Sequence, residues 1–235
     1  MPYQFMKRIL ITGASRGIGR AIAEKLAAPE VTMLLHGRDT VALAETRKTV
    51  ERKCAKVIPL IHDLATPQGV SNLISQAGAD PLDVLINNAG IAVVKPFREI
   101  TLTEWDQTVG VNVTAPFLLT QHFAGQMPPG SSMVNILSIA AKTGFANWSA
   151  YCMSKFALEG FSQSVREELR DRCIRVINIY PAATNTEIWD DVSGSWPREK
   201  MMSPAEIAGA VAYALSRPGE VAVENITISN AAGNL

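Results

Sequence analysis

In "SAYCMSKFALEG", residues 149–160, Tyr151 and Lys155 stand four positions apart. On a helix that spacing stacks two side chains on one face. An ammonium near a phenol favours the phenolate and draws its pKa down from about 10 toward neutrality. Such a pair could exchange a proton with an oxygen held in front of it. Ser138, thirteen residues upstream of Tyr151 at the end of an apolar run, has a hydroxyl that could hold that oxygen. On its own the pair would read as the wet side of a surface helix; the strand-end serine and a glycine loop near the N-terminus turn it into a catalytic candidate. Cys152 points elsewhere around the helix and reads as a small packing residue. Leu158, Phe161, Val165 and Leu169 read as core or subunit contact.

The glycine loop is "TGASRGIG", Thr12 to Gly19. Gly13 suits a tight turn, Gly17 a close approach to a diphosphate, and Gly19 the packing of a helix on a sheet. The N-terminus of that helix offers unpaired N–H groups and a positive dipole end to phosphates. Glycine trios also make plain turns, but this one directly follows an apolar strand, which points to dinucleotide binding. A carboxylate for the ribose is expected about 20 residues later, after the second strand. Here "LLHGRDT" places Gly37 and Arg38 first, and Asp39 reads equally well as a helix cap. Guanidinium groups bind phosphate through paired donors. Arg38 with Arg16 could grip a 2′-phosphate, which favours NADP(H) over NAD(H); the alternative leaves both arginines solvated and gives the ribose to Asp39. Asp63 could meet an adenine amino group or serve a turn. "NNAG", 87–90, ends the fourth strand, where a sheet would brace a cofactor cleft or simply turn.

The elements that must position these groups alternate along the chain. Apolar runs at 8–12, 31–36, 56–61, 83–88, 132–137, 174–180 and 225–229 are separated by helical patterns at 17–28, 39–53, 67–77, 103–126, 149–172 and 203–216. Most runs lack polar alternation, so they predict strands buried on both faces of a parallel sheet. The result is an α/β, Rossmann-like doubly wound sheet with its ligand at the carboxyl ends of the strands. Asn112 falls on the apolar stripe of the 103–126 helix and must be satisfied or functional. Pro116, four residues on, cannot donate to the Asn112 carbonyl, which predicts a kink. Residues 187–203, with Trp189, Gly194, Trp196 and Pro197, read as a substrate lid or a surface connection.

Composition narrows the classes. Lys plus Arg and Asp plus Glu each number 22, so no electrostatic footprint points to nucleic acid or acidic lipid. No apolar run reaches the roughly 18 residues of a membrane span, and "MPYQFMKRILITG" has no signal-peptide pattern. Cys54, Cys152 and Cys173 are scattered, which predicts free thiols and a cytoplasmic location. His36, His62 and His122 form no metal-binding spacing, so no metal is expected.

Thr12-Gly13-x-x-x-Gly17-x-Gly19, Asp63, "NNAG" at 87–90, Asn112, Ser138, Tyr151-x-x-x-Lys155, Pro181 and Thr186 together resemble the classical short-chain dehydrogenases/reductases over nearly the whole chain. The resemblance implies one Rossmann domain over 1–235 with about seven strands. It also implies a Ser138-Tyr151-Lys155 centre, assisted by Asn112 through a backbone-bound water, that transfers hydride between a nicotinamide and a carbonyl or alcohol. The cofactor would be held by Gly13, Ser15, Arg16, Gly17, Ile18, Gly19, Arg38, Asp63, Leu64, Asn88, Ala89, Gly90, Tyr151, Lys155, Pro181 and Thr186. Arg16 and Arg38 stand where NADP(H)-preferring members carry basic residues, and position 37, often aspartate in NAD(H)-preferring members, is glycine. This chain has Pro181-Ala182 where the family often has Pro-Gly. The family commonly forms dimers or tetramers through helices matching 103–126 and 149–172.

Two rivals stand beside that expectation. A nucleotide sensor or scaffold could keep the fold without productive redox turnover, although the complete Ser138, Tyr151, Lys155 and Asn112 set speaks against it. Nucleotide-sugar epimerases and dehydratases share Tyr-x-x-x-Lys but usually carry a longer C-terminal region. The substrate is expected to be a small-molecule carbonyl or alcohol. "IAVVKPF" at 91–97, Phe145, Trp148, Trp189 and Trp196 suggest a partly apolar pocket, or ordinary packing.

Overall fold

Each apolar run becomes a strand: β1 (Arg8–Ile11), β2 (Thr32–Gly37), β3 (Lys56–Ile61), β4 (Val84–Asn87), β5 (Ser132–Ile136), β6 (Arg175–Pro181) and β7 (Asn225–Ile228). The structure, a computed structural model, describes residues 8–192, 194–231 and 233; residues 1–7, Ser193 within the 187–203 stretch, and 232, 234 and 235 lie outside the described residues. All seven strands pair in parallel in the order β3-β2-β1-β4-β5-β6-β7. The winding reverses between β1 and β4, so the ligand crevice of such a sheet opens at their carboxyl ends.

Helices cover both faces: α1 (Gly17–Leu26), α2 (Thr40–Val50), α3 (Pro67–Ala77), α4 (Leu102–Val109), α5 (Ala115–Ala124), α6 (Ser149–Leu169) and α7 (Pro204–Leu215). Ile9, Ile11, Met33 and Leu35 bury one sheet face with Ile22, Leu26, Leu43, Ile207 and Val211 from α1, α2 and α7. Leu10, Leu34 and Leu85 bury the other with Leu73, Leu119, Phe123 and Leu169 from α3, α5 and α6. Alternate side chains of a strand point to opposite faces, so burial on both sides makes the run continuously apolar. Pro59 can sit inside β3 because β3 is an edge strand and its missing N–H breaks no central ladder.

The single helix expected over 103–126 is instead α4 and α5 joined by a π-helical turn, Gly110–Thr114. The Ala115 N–H bonds the Gly110 carbonyl five residues back, and Pro116 has no N–H to restore the α ladder. The predicted kink therefore takes the form of an inserted residue, with Asn112 inside it.

Candidate active site

The crevice holds a cavity of about 760 Å³ whose floor is the glycine loop. Thr12 Oγ1 accepts from the N–H groups of Asn88 and Ala89 at 2.9 and 3.0 Å and donates to the Ile86 carbonyl at 3.2 Å. Asn88 Nδ2 donates to the Thr12 and Gly13 carbonyls at 2.9 and 3.0 Å. From α2, the Thr46 hydroxyl donates to the Ser15 carbonyl at 3.1 Å. Gly13 and Gly17 take left-handed φ values of +65° and +56°. A Cβ on Gly19 would lie 2.2 Å from the Gly13 carbonyl oxygen, so α1 can begin against the loop only with glycine there. Gly19 consequently sits behind the loop, not on the cavity wall.

His36, buried at the end of β2, is a loop support that sequence reasoning missed. Its Nδ1 accepts from the Gly13 N–H at 3.3 Å, and its Nε2 lies 3.0 Å from the His62 carbonyl oxygen. Only the neutral ring protonated on Nε2 satisfies both partners. Burial lowers its pKa to about 4, keeping that form at neutral pH.

Beyond the loop, Ser15 Oγ is buried without a hydrogen-bond partner. It faces Gly37 so closely that a Cβ there would lie 2.0 Å from it. Exposed Arg16 and Arg38 border the same end of the cavity, and among the described residues neither pairs with a carboxylate. Asp39 Oδ1 accepts from the Val41 and Ala42 N–H groups, both at 3.0 Å, and so caps α2. An orphaned hydroxyl and two unpaired guanidinium groups lining one cavity are a donor set suited to phosphate. Ile18, Asp63, Leu64, Asn88, Ala89, Gly90, Pro181 and Thr186 also line the cavity. Asp63 Oδ1 accepts from the Ala65 N–H at 3.0 Å, so it serves a turn as well. Ala182 avoids the left-handed region, and its N–H donates to the Ile228 carbonyl at 2.8 Å, so this Pro-Ala bend needs no glycine.

Ser138, Tyr151 and Lys155 all line the cavity. Ser138 leaves β5 as the cap of a short turn, with its Oγ accepting from the Ala140 N–H at 3.1 Å. Lys155 is 5% exposed, and its Nζ donates to the Ile136 carbonyl at 2.9 Å, 5.5 Å from the centre of the Tyr151 ring. Burial lowers the Lys155 pKa to about 8. The expectation that Lys155 pulls the Tyr151 phenol down is corrected: burial pushes Tyr151 up to about 12, and a hydrogen bond with Ser138 opposes that rise only in part. The ammonium is directed at a carbonyl instead of the phenol oxygen, so desolvation wins. The phenol is thus protonated at neutral pH, as a proton donor must be.

Asn112 does not line the cavity. Its Oδ1 accepts from the Ile91 N–H, and its Nδ2 donates to the Ile91 carbonyl and to Ser154 Oγ, each at 2.9 Å. It clamps the segment after β4 to α6. The π-helical turn brings it near Lys155: a Cβ on Gly90 would lie 3.5 Å from Asn112 Oδ1 and 3.7 Å from Lys155 Nζ.

Two further arrangements have only a partial sequence signal. Asn87, Asn135 and Asn178 are in register on β4, β5 and β6. Asn87 Nδ2 donates to Asn135 Oδ1 at 2.9 Å, and Asn135 Nδ2 to Asn178 Oδ1 at 3.1 Å and to Ser162 Oγ on α6 at 2.9 Å. At the end of this chain Glu159 accepts from Tyr180 and, at 2.8 Å, from Lys142. Burial raises the Glu159 pKa, but these donors and Gln163 outweigh it and leave it lowered. The network fastens α6, and with it Tyr151 and Lys155, to β5 and β6. The recurrent strand asparagines were its available signal.

The second arrangement is aromatic. Trp148 meets Tyr151 edge-on at 5.5 Å between ring centres, Trp189 at 5.7 Å and Trp196 at 6.2 Å, while Trp189 and Trp196 lie 4.9 Å apart. Trp189 and Trp196 come from the 187–203 stretch, which Arg198 fastens by donating to Asn185 Oδ1 and the Thr186 carbonyl at 2.8 Å and to Asp190 Oδ1 at 2.9 Å.

This geometry has counterparts among known proteins. The family described as short chain dehydrogenase matches residues 7–195. An uncharacterized oxidoreductase of Staphylococcus saprophyticus is 31% identical over 227 residues, covering 94% of this chain and 96% of the relative. The 3-oxoacyl-[acyl-carrier-protein] reductase of Aquifex aeolicus is 31% identical over 220 residues, covering 88% and 89%. A short chain dehydrogenase from Burkholderia cenocepacia, solved in complex with NADP, superposes with a TM-score of 0.84 at 28% identity over 95% of this chain and 96% of that one. With a matching family over most of its length and a parallel sheet that carries the family's motifs to one crevice, the chain belongs to the classical short-chain dehydrogenases/reductases, a family of oxidoreductases.

Proposed function

We propose that this chain is an NADP(H)-dependent carbonyl reductase, with Tyr151 as proton donor. The observation that carries the reading is the Ser138–Tyr151–Lys155 cluster, with Lys155 buried and the other two half-buried, set in one cavity with the glycine loop and the unpartnered Ser15 hydroxyl. The residues fit a phosphorylated dinucleotide. The loop and the start of α1 would take the diphosphate, Ser15, Arg16 and Arg38 the 2′-phosphate, and Lys155 the nicotinamide ribose. When bound, the reduced nicotinamide supplies a hydride to the carbonyl carbon and is itself oxidised. Ser138 holds the carbonyl oxygen. Tyr151 gives that oxygen a proton, so the ketone becomes an alcohol and the phenol a phenolate. Lys155, cationic below about pH 8 and 5.5 Å from the phenol ring centre, adds charge that favours the phenolate once the proton has left, while burial sets the resting pKa, and Asn112 holds the backbone beside it. The NADP bound to the Burkholderia relative supports the cofactor reading. Residues 187–203 would act as the substrate cover of a single domain, and exposed Leu102, Trp105, Phe117 and Phe156 on α4, α5 and α6 support a homo-oligomer.

The test is oxidation of NADPH, with NADH in parallel, across ketones, aldehydes, quinones and acyl thioester ketones. Turnover with NADPH well above NADH is expected for at least one class. Tight NADPH binding with no turnover of any carbonyl would overturn the reading in favour of a sensor.

A further inference from the structure

We propose that the substrate is a flat aromatic ketone without an anionic group, whose ring lies within one ring's width of the carbonyl, held by Trp148, Trp189 and Trp196; this rests on the reductase reading above. One indole, Trp148, meets the phenol that must protonate the substrate, and Trp189 and Trp196 pack against Trp148. Trp148 touches Tyr151, Trp189 and Trp196, with ring centres 5.5, 5.7 and 6.2 Å away, all near edge-on. All three tryptophans line the cavity and are only half-buried. An indole left half-open to water retains apolar surface that a flat ring can cover, and aromatic rings prefer the edge and offset contacts already used here.

Charge narrows the class further. Among the described residues lining the cavity, the cations are Arg16, Arg38 and Lys155. The first two stand at the glycine-loop end, and the third is buried against the Ile136 carbonyl. Phe145, Ile188 and Ala183 continue the wall around the tryptophans without a cation. A substrate carboxylate or phosphate there would lose its hydration with no partner in exchange. The short distance from Trp148 to Tyr151 sets the spacing. A carbonyl within reach of the phenol has its neighbouring carbons against indole.

The experiment uses 2-tetralone and its ring-saturated twin 2-decalone, whose carbonyls are both unconjugated, and a 2-tetralone bearing a ring carboxylate. Binding is read by quenching of tryptophan fluorescence with NADP⁺ present, and turnover by NADPH oxidation. The aromatic ketone should bind about tenfold tighter than its saturated twin, the size that one to two aromatic contacts provide. Its kcat/KM should lead by a similar factor, and the carboxylated analogue should lose that lead. In Trp196→Leu, and separately in Trp189→Leu, the gap between the twins should close to less than about threefold, through Kd and KM more than kcat. Equal binding of the twins, or a preference that survives both variants, overturns the proposal. So does failure of both twins to bind. If the binding preference holds but neither ketone is reduced, the aromatic site stands and the reductase reading falls.

Discussion

The floor beneath the glycine loop and the wall over Tyr151 are built from different forces. Thr12, Asn88, His36 and Thr46 hold the floor by directional hydrogen bonds, each aimed at a named backbone atom. Indole contacts, 4.9 to 6.2 Å between ring centres, hold the wall. On the proposed reading a phosphate is met by backbone N–H groups at fixed positions, and the floor that fixes them is assembled around β1, β2, α2 and β4. An apolar substrate needs only surface of suitable shape, and the wall comes from the start of α6 and one connecting stretch. On the proposed reading, the difference separates a part that any NADP(H)-binding member must reproduce from a part free to set the substrate.

Tyr151 stands between the two parts, and its removal should have the largest effect. Tyr151→Phe should lower kcat by about 10²- to 10⁴-fold, the range for a positioned proton donor. NADPH affinity, measured by fluorescence titration, should stay near wild type because no floor contact uses the phenol. Turnover within tenfold of wild type would remove Tyr151 from the chemistry.

The floor should also be the acid-sensitive half. The folded-state pKa of His36 is about 4, below its ordinary 6.5, chiefly because of burial. As pH falls, the unfolded chain takes up this proton first, so stability is complete above about pH 6.5 and lost toward pH 4. The shift corresponds to roughly 3 kcal/mol across that window. Urea midpoints at half-unit pH steps should show the decline. His36→Asn should be less stable at neutral pH but should lack that share of the slope; an unchanged slope would place the titration elsewhere.

A smaller loss should follow from crowding the floor. In Gly19→Ala the new methyl meets the Gly13 carbonyl, a backbone atom that cannot rotate away. Overpacking of this kind costs about 1–3 kcal/mol, read by urea unfolding, and NADPH affinity should fall with it. The aromatic wall should be unaffected, so fluorescence quenching by 2-tetralone should change less than NADPH binding.

The same contrast explains what was legible in the sequence. The central strands, buried on both faces, leave continuous apolar runs, and the edge strands β3 and β7 were readable from their β-branched and apolar residues although partly exposed. "TGASRGIG" and Tyr151-x-x-x-Lys155 were readable because their geometry tolerates few residue types. The role of His36 was hidden, because its partners Gly13 and His62 are distant in sequence and meet only across strand ends. The π-helical turn was visible only as the Pro116 kink, since an inserted residue leaves the helical period nearly intact on either side. The direction of the Tyr151 shift was misread because spacing brings an ammonium near but does not say that Ile136 will take its hydrogen bond. Trp189 and Trp196 could be suspected but not placed, because their stretch has no periodicity to orient them.

The smallest effect should fall at the outer rim of the floor. Arg38 is exposed and carries no carboxylate partner among the described residues, so its loss should leave stability within about 0.5 kcal/mol. A charge-assisted bond at so open a position is screened, which places its value near a tenfold change. Arg38→Ser should therefore raise KM for NADPH about tenfold and leave KM for NADH nearly unchanged, narrowing the preference without reversing it. Reversal needs a carboxylate for the ribose, and position 37 cannot simply supply one: any Cβ there lies 2.0 Å from Ser15 Oγ, so the serine must rotate out of the place proposed for the 2′-phosphate. Arg38→Ser with Gly37→Asp should thus lose NADPH further while gaining little NADH until Ser15 is also shortened to alanine. If Arg38→Ser alone leaves the NADPH-to-NADH ratio of kcat/KM unchanged, the 2′-phosphate is held elsewhere, and the orphaned Ser15 hydroxyl has another partner.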